Sequence, residues 1–159
     1  MADLQKQFDT GRQVAALSAQ VSQAVGQATA LRSGIARLMS QTSTPAPARS
    51  ALQGLSRKLD DVAGVQLAPS PDDSGVAPPS NDHSSLLYLG GVFQRISQSV
   101  NGGDAAPTDG ALRALHDAQP TLAAAMSKWE EIKSTDLAQV NAVLKEYSLP
   151  PLALDARRE

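Results

Sequence analysis

The segment from Val14 to Leu38 constrains the fold of this chain more than any other part of the sequence. Its apolar residues recur at alternating spacings of three and four: Val14, Leu17, Val21, Ala24, Ala28, Leu31, Ile35 and Leu38. This spacing places all of them along one stripe of an α-helix, whereas a β-strand would require alternation by two. Water cannot satisfy such a stripe, so other helices must cover it, and we interpret the remaining chain as that cover.

The composition indicates a helical core built from aliphatic side chains. Hydrophobic residues make up 42% of the 159 residues but aromatic residues only 3%, which favours close helix packing over a β-sandwich. This length suits one domain with a sizeable core. The formal net charge is −2 and no basic patch stands out, which argues against nucleic-acid binding. Because the chain has no cysteine, disulfides, thiolate catalysis and thiolate metal ligands are excluded.

The same apolar spacing recurs in further segments, each bounded by residues typical of helix ends. We predict an all-α fold, an antiparallel four-helix bundle with a short fifth helix at the C-terminus, in a single domain over residues 1–154. The predicted helices span about residues 3–40, 48–63, 82–101, 108–133 and 136–148, with a long Pro- and Ser-rich loop over residues 65–81. The charged tail, residues 155–159, is predicted to be disordered.

Several residues are of the types that begin or end a helix. Asn81 or Asp82 is predicted to cap the third helix, and Thr108 or Asp109 the fourth, because their side-chain oxygens can accept from the free N–H groups of the first turn. Gly64 is predicted to end the second helix, since glycine readily adopts the backbone conformation found after a helix.

At three positions the sequence predicts a departure from a regular helix. The apolar face that starts near Phe8 is out of step with the later stripe, so we expect a slight bend or a close backbone contact at Gly11. Pro120 removes a hydrogen bond and predicts a kink just before it. Asp136, followed three residues later by Gln139, resembles a capping box that begins the short fifth helix.

The core is predicted from the residues that share the inward face of each helix. They are Val14, Leu17, Val21, Leu31, Ile35, Leu52, Leu55, Leu59, Leu86, Leu89, Phe93, Ile96, Leu112, Leu115, Leu122, Trp129, Leu137, Val140 and Leu144. Tyr147 is placed on the inward face of the fifth helix. The segment that ends this helix, Leu-Pro-Pro-Leu, is expected to tuck Leu149 and Leu152 against the bundle.

No group of residues with catalytic or metal-binding spacing stands out. His83 and His116 each have an acidic neighbour, but adjacent helical residues point about 100° apart and make no natural chelate. The sequence also lacks a Gly-x-Ser-x-Gly elbow and the spaced carboxylates of a calcium loop. Trp129 lies on an apolar stripe and is assigned to the core rather than to a partner surface. We therefore predict no catalytic, cofactor-binding or metal-binding residues and no cofactor.

Several motifs of the chain resemble a known family. They are Leu86–Val92 (LLYLGGV), Asp104–Thr108 (DAAPT), Asp136–Asn141 (DLAQVN) and Leu149–Leu152 (LPPL), with an opening at Asp3-Leu4, Gln7-Phe8 and Arg12. Together they resemble the C-terminal helical region of bacterial BNR-repeat, sialidase-type β-propeller proteins, which are described as glycosyl hydrolases and are related to sortilin-type propellers. The chain departs from the family's pattern at Gly91, Pro120 and Ser148.

The resemblance implies that this chain is the C-terminal accessory domain of a larger propeller protein. Any hydrolase or carbohydrate-binding site would then lie on the propeller, and no catalytic residue carries over to this chain. The implied partner is a protein, either its own propeller or a second copy of the chain. The implied location is extracytoplasmic or periplasmic, although the sequence shows no signal peptide. No apolar run approaches the roughly 20 residues of a membrane-spanning helix.

Two functions of different classes are open at this point. The first is a non-catalytic packing or interaction module that clamps a propeller, dimerises or docks a partner. The second is a four-helix bundle that binds a small ligand or metal, which needs polar side chains converging inside; the candidates are Gln53, Gln119 and Asn141. An enzyme in its own right is the least favoured alternative. A large internal polar pocket would favour the second function, and a dry core beside an exposed apolar patch the first.

Overall fold

The computed structural model describes residues 2–64, 83–101 and 108–154. In chain order the elements are α1 (Ala2–Ser40), α2 (Ala46–Ala63), α3 (Leu86–Asn101), α4 (Asp109–Glu131), a π-helical turn (Ile132–Asp136) and α5 (Leu137–Glu146). The predicted all-α bundle of four main helices with a short fifth helix is confirmed. The predicted loop 65–81, the tail 155–159 and the proposed cap residues Asn81 and Asp82 lie outside the described residues.

Helices α2 and α3 lie end to end along α1. A Cβ placed on Gly64, just after α2, would lie 3.0 Å from Ser85 Oγ and 3.2 Å from Leu87 Cβ at the start of α3. Arg32 of α1 hydrogen-bonds to the end of α2, whereas Gln7, near the start of α1, donates to the Val100 carbonyl of α3 at 2.9 Å. Therefore α2 covers the later half of α1, α3 covers the earlier half, and both run antiparallel to it.

The last three elements form one continuous helical rod over residues 109–146. Backbone angles stay helical through the joins at Ile132, Asp136 and Leu137. The rod packs against α3 through α4, and against α2 mainly through α5, with smaller contacts from α4 and the π-helical turn. An ion pair of 2.6 Å between Lys58 Nζ and Asp136 Oδ1 joins α2 to this rod. The helices thus lie along three rods, and the apolar stripe of α1 faces the other two.

The core consists of the predicted stripes together with many alanines. All the predicted core residues are buried except Leu17 and Leu112, which are half-buried. Trp129 and Phe93 are almost fully enclosed, as predicted. Seven alanines in the described part of the chain are also buried; they are Ala24, Ala28, Ala48, Ala63, Ala111, Ala118 and Ala125. Small side chains let helices approach closely, which explains how a chain with few aromatic residues fills its core.

Some helix ends lie where the sequence predicts them, and others differ from the prediction. Thr108 caps α4 by accepting from the Ala111 N–H at 3.2 Å, and Gly64 ends α2 with a φ of +84°, both as predicted. Helix α2 begins at Ala46 rather than residue 48, because a proline fits the first turn of a helix. Helix α3 begins at Leu86 rather than residue 82, with Ser85 Oγ accepting from the Tyr88 N–H at 3.3 Å.

The predicted break before the fifth helix is wrong. Asp136 has helical backbone angles and makes no capping hydrogen bond; its carboxylate accepts from Lys58 instead. Two side chains placed on inward faces are also exposed, because Phe8 is 60% accessible and Tyr147 is 38% accessible. Helix α4 continues through Pro120, and α1 continues through Gly11.

Candidate functional site

The outer face of α1 is an exposed surface almost free of charge. It consists of the exposed residues that repeat at heptad spacing on the side away from the bundle: Phe8, Arg12, Ala15, Ala19, Ser22, Gly26, Thr29 and Ser33. Between Arg12 and Arg32 the helix contains no charged residue at all. The face extends for ~38 Å at the rise of an α-helix. Depletion of charge is typical of the buried centre of protein interfaces.

An aromatic side chain marks the N-terminal end of this face. Phe8 is the most exposed large apolar residue among the described residues. The guanidinium carbon of Arg12 lies 5.8 Å from the centroid of the Phe8 ring, at the distance of a cation–π contact. Aromatic residues and arginine are the types enriched at protein interfaces and at their energetic centres. Phe8 and Arg12 therefore have the chemistry of an anchor for a partner protein.

An uncharged groove between α1 and α3 adjoins the outer face. Its volume is about 630 Å³, and it opens to solvent. It is lined by Ser18, Val21, Ser22, Val25, Leu86, Leu87, Gly90, Gly91, Gln94, Ser97 and Gln98. A Cβ on Gly90 would lie 3.3 Å from Val21 Cγ1, so the glycine keeps the two helices close. The lining offers apolar side chains and neutral hydrogen-bonding groups, and the guanidinium of Arg95 lies beside it, with Nη1 3.7 Å from where a Cβ on Gly91 would lie.

A second feature is the way the segment after α5 folds back onto the bundle. Residues 149–154, which we call the C-terminal strap, follow a reversal at Ser148, whose φ is +55°. The side-chain amide of Asn141 donates to the Leu152 carbonyl at 3.0 Å, and the Leu152 N–H donates to Asn141 Oδ1 at 2.8 Å. Leu152 is buried, and Leu149 packs on the core from a half-buried position. The prediction that both leucines contact the bundle is confirmed.

Two groups of charged residues join helices to one another. Arg32 donates to Asp60 Oδ1 at 2.8 Å and to the Gly64 carbonyl at 2.6 Å, which ties α1 to the end of α2. The hydrogen bond from Lys58 to Asp136 raises the pKa of the Lys58 ammonium above its ordinary value, with smaller support from Glu131. These contacts bring opposite charges together at exposed or half-exposed positions, so they act as ties between helices rather than as acid–base machinery.

The polar residues predicted as candidates for an internal ligand site do not converge. Gln53 is exposed on α2, Gln119 is half-buried on α4, and the amide of Asn141 is occupied by Leu152. Gln119 and Asn141 lie on the same rod, ~33 Å apart at the rise of an α-helix. Every buried side-chain nitrogen or oxygen in the described part of the chain has a hydrogen-bond partner. Each of these three residues therefore lies in a separate environment.

Both histidines lie on the surface of the bundle. His83 precedes α3 and its ring packs edge-on against Tyr88, with the centroids 4.7 Å apart, and His116 is exposed on α4. Within residues 2–64, 83–101 and 108–154, no three His, Asp or Glu side chains come together as a possible metal site. Over the same residues, no helix is both long and apolar enough to cross a membrane.

The fold and these surfaces define the class as an all-α helical bundle with an outer face almost free of charge and a C-terminal strap. The chain matches no protein-family model, and no curated protein or solved structure is significantly similar to it.

Proposed function

We propose that this chain is a non-catalytic helical interaction domain that docks a protein partner through the outer face of α1. The observation that carries the proposal is the combination on one helix of an exposed Phe8, an arginine stacked on it, and a long surface without charge. The adjoining groove between α1 and α3 extends this neutral surface. A solvated helix normally carries charged residues on its outer face, so an uncharged one is better explained by contact with another protein.

The proposed partner follows from the resemblance described above. It is the β-propeller of a BNR-repeat, sialidase-type protein, of which this chain would be the C-terminal module. The support for this step is the set of motifs from Leu86 to Leu152, two of which have structural roles here: Thr108 of the DAAPT motif caps α4, and Leu152 of the LPPL motif seats the strap. Self-association through the same face is the alternative form of the proposal.

The experiment is a binding titration with matched surface variants. The chain is titrated by calorimetry with a purified BNR-repeat propeller encoded in the same genome, and its mass is measured alone by sedimentation over a range of concentrations. Phe8→Asp and Ser22→Glu place a charge on the outer face and should weaken either association by at least about tenfold, since burying an unpaired charge is costly. Gln53→Glu, at an exposed position on α2, is the control and should change nothing.

Two results would count against this function. The first is the absence of both associations: if the chain neither self-associates nor binds the propeller at micromolar to millimolar concentration, the proposed docking is wrong. Equal weakening by Gln53→Glu and Ser22→Glu would show that net charge, rather than the outer face, controls association. Circular dichroism of each variant would establish that the helices persist, because all three positions are exposed and outside the core.

A further inference from the structure

We propose that the C-terminal strap is exchangeable, so that the seat formed by α1 and α5 accepts the Leu-Pro-Pro-Leu segment of a second copy of this chain. Two copies would then be joined by reciprocal exchange of residues 149–154. This inference concerns a different surface from the outer face of α1 and does not depend on the function proposed for it.

The seat has the features of a peptide-binding site. Gly34 of α1 leaves a notch for the Leu152 side chain, since a Cβ there would lie 2.8 Å from Leu152 Cδ2. Asn141 of α5 pairs with the backbone N–H and C=O of Leu152 at 2.8 and 3.0 Å, as one strand would with another. Both contacts are made by the bundle to an extended peptide, and neither requires that the peptide belong to the same chain.

The strap itself has the properties of a detachable ligand. Pro150 and Pro151 keep it extended and prevent it from continuing the helix. Besides the burial of its leucines, the described contacts that hold it are the pair of bonds to Asn141 and the turn bond from the Leu149 N–H to the Leu144 carbonyl at 2.8 Å. A segment held by few contacts opens more readily than the core it packs on.

The hinge favours exchange over permanent closure. Among the described residues, Ser148 is the one non-glycine residue with a positive φ, which is +55°. It lies where the chain turns back from α5 into the strap. A residue with a Cβ is strained in this conformation, which ends α5: the Ser148 N–H donates to the Lys145 carbonyl at 3.0 Å, and the Leu149 N–H to the Leu144 carbonyl at 2.8 Å. When the strap extends toward another copy, Ser148 can adopt an ordinary extended conformation. Strain in a hinge that closes a terminal segment favours swapping between identical chains.

A complementation experiment tests this directly on full-length chains. Gly34→Leu fills the notch with its own side chain, which leaves the strap intact but without a seat. Leu152→Asp leaves the seat intact but supplies a strap that cannot enter it. Each variant alone should sediment as a monomer, whereas their equimolar mixture should form a one-to-one complex, because the free strap of the first enters the empty seat of the second. A mixture that remains monomeric at millimolar concentration overturns the proposal.

Further variants separate strap exchange from association through another surface. Should Gly34→Leu fail to fold, Asn141→Ala replaces it as the chain without a seat, since it removes both bonds to Leu152. Ser148→Gly relieves the hinge and should weaken dimerisation of the otherwise unchanged chain about tenfold. Ser22→Glu, on the outer face of α1, should leave the mixed complex unchanged; loss of the complex in this variant would mean that the chains meet through the outer face and not through the strap.

Discussion

Gly34 and Leu152 are in such close contact that a Cβ on the glycine would lie 2.8 Å from Cδ2 of the leucine. The contact joins the later half of the longest helix to the end of the described chain. A glycine inside a helix costs about 1 kcal/mol relative to alanine, so α1 gives up helical stability at the point where the strap seats.

Gly34→Ala should loosen the strap while leaving the bundle folded, because the atom in the way of the new Cβ is the flexible end of the Leu152 side chain. The new methyl group displaces Leu152, but alanine is the better helix former, so we expect the free energy of unfolding to change by less than about 1 kcal/mol. Amide hydrogen exchange at Leu152 should become markedly faster, because its N–H loses the bond to Asn141. Gly26→Ala is the matched control, since a Cβ there meets nothing within 4 Å. Unchanged protection of Leu152 in Gly34→Ala would contradict the seat described here.

Leu31→Ala should be strongly destabilising. Leu31 is fully buried in α1 beneath the other rods, so its truncation leaves a cavity and should lower the free energy of unfolding by about 2–5 kcal/mol. Leu17→Ala is the same change in the same helix at a half-buried position and should cost clearly less. Urea unfolding followed by circular dichroism measures both variants. Equal losses would mean that the two positions have the same environment in solution.

Replacing a glycine by alanine should stabilise the fold at Gly54 and destabilise it at Gly64. Gly54 lies exposed within α2 with open space around it, so Gly54→Ala should stabilise the fold by about 0.5–1 kcal/mol. Gly64 has a φ of +84° and faces Ser85 closely, so Gly64→Ala should destabilise it by at least about 1–2 kcal/mol. Thermal unfolding of the two variants measures both effects. Stabilisation by Gly64→Ala would contradict the end-to-end arrangement of α2 and α3.

The ion pair between Lys58 and Asp136 should make stability depend on pH at the alkaline end. Because the folded chain raises the pKa of Lys58 above its ordinary value of 10.5, the pair contributes fully below pH 10.5 and is lost as the pH rises through the raised value. Lys58→Met should therefore be less stable than the parent chain at neutral pH, and this difference should shrink above pH 10.5. In an Asp136→Asn background the difference should be small at every pH. Urea unfolding between neutral and alkaline pH measures it.

Much of the fold follows from the sequence because helix periodicity is local. The stripe from Val14 to Leu38 is buried apart from Leu17, and Trp129 lies in the core as its position on the fourth stripe predicts. Spacing of three and four is dictated by the helix itself and does not depend on which neighbour covers the stripe. Thr108 and Gly64 also act as predicted, since capping depends on backbone groups within one turn.

The parts that sequence reasoning missed depend on contacts between distant residues. The apolar character of Phe8 predicts an inward side chain, but no described helix covers that side of α1, so its ring remains exposed. Asp136 has the sequence signature of a cap, yet the carboxylate lies 2.6 Å from Lys58, and the helix passes through it as a π-helical turn. Asn141 is a candidate for an internal polar ligand by its residue type, and its true partner is the backbone of Leu152. The sequence does carry a signal for this pairing, because the two leucines of the Leu-Pro-Pro-Leu segment are apolar and are expected to pack back onto the bundle.

Local patterns in the amino-acid sequence are enough to establish that this protein is all-α, which residues face its core and where most of its helices end, because these properties arise from the geometry of a single helix and its caps. The tertiary structure was needed to show that α2 and α3 share one rod, that the last helices join through a π-helical turn, and that the outer face of α1 stays uncovered by the described helices. These choices depend on how side chains fit between rods, as Gly90 does against Val21 and Gly34 against Leu152. Such fits are set by distances between residues far apart in the chain, which no local pattern records.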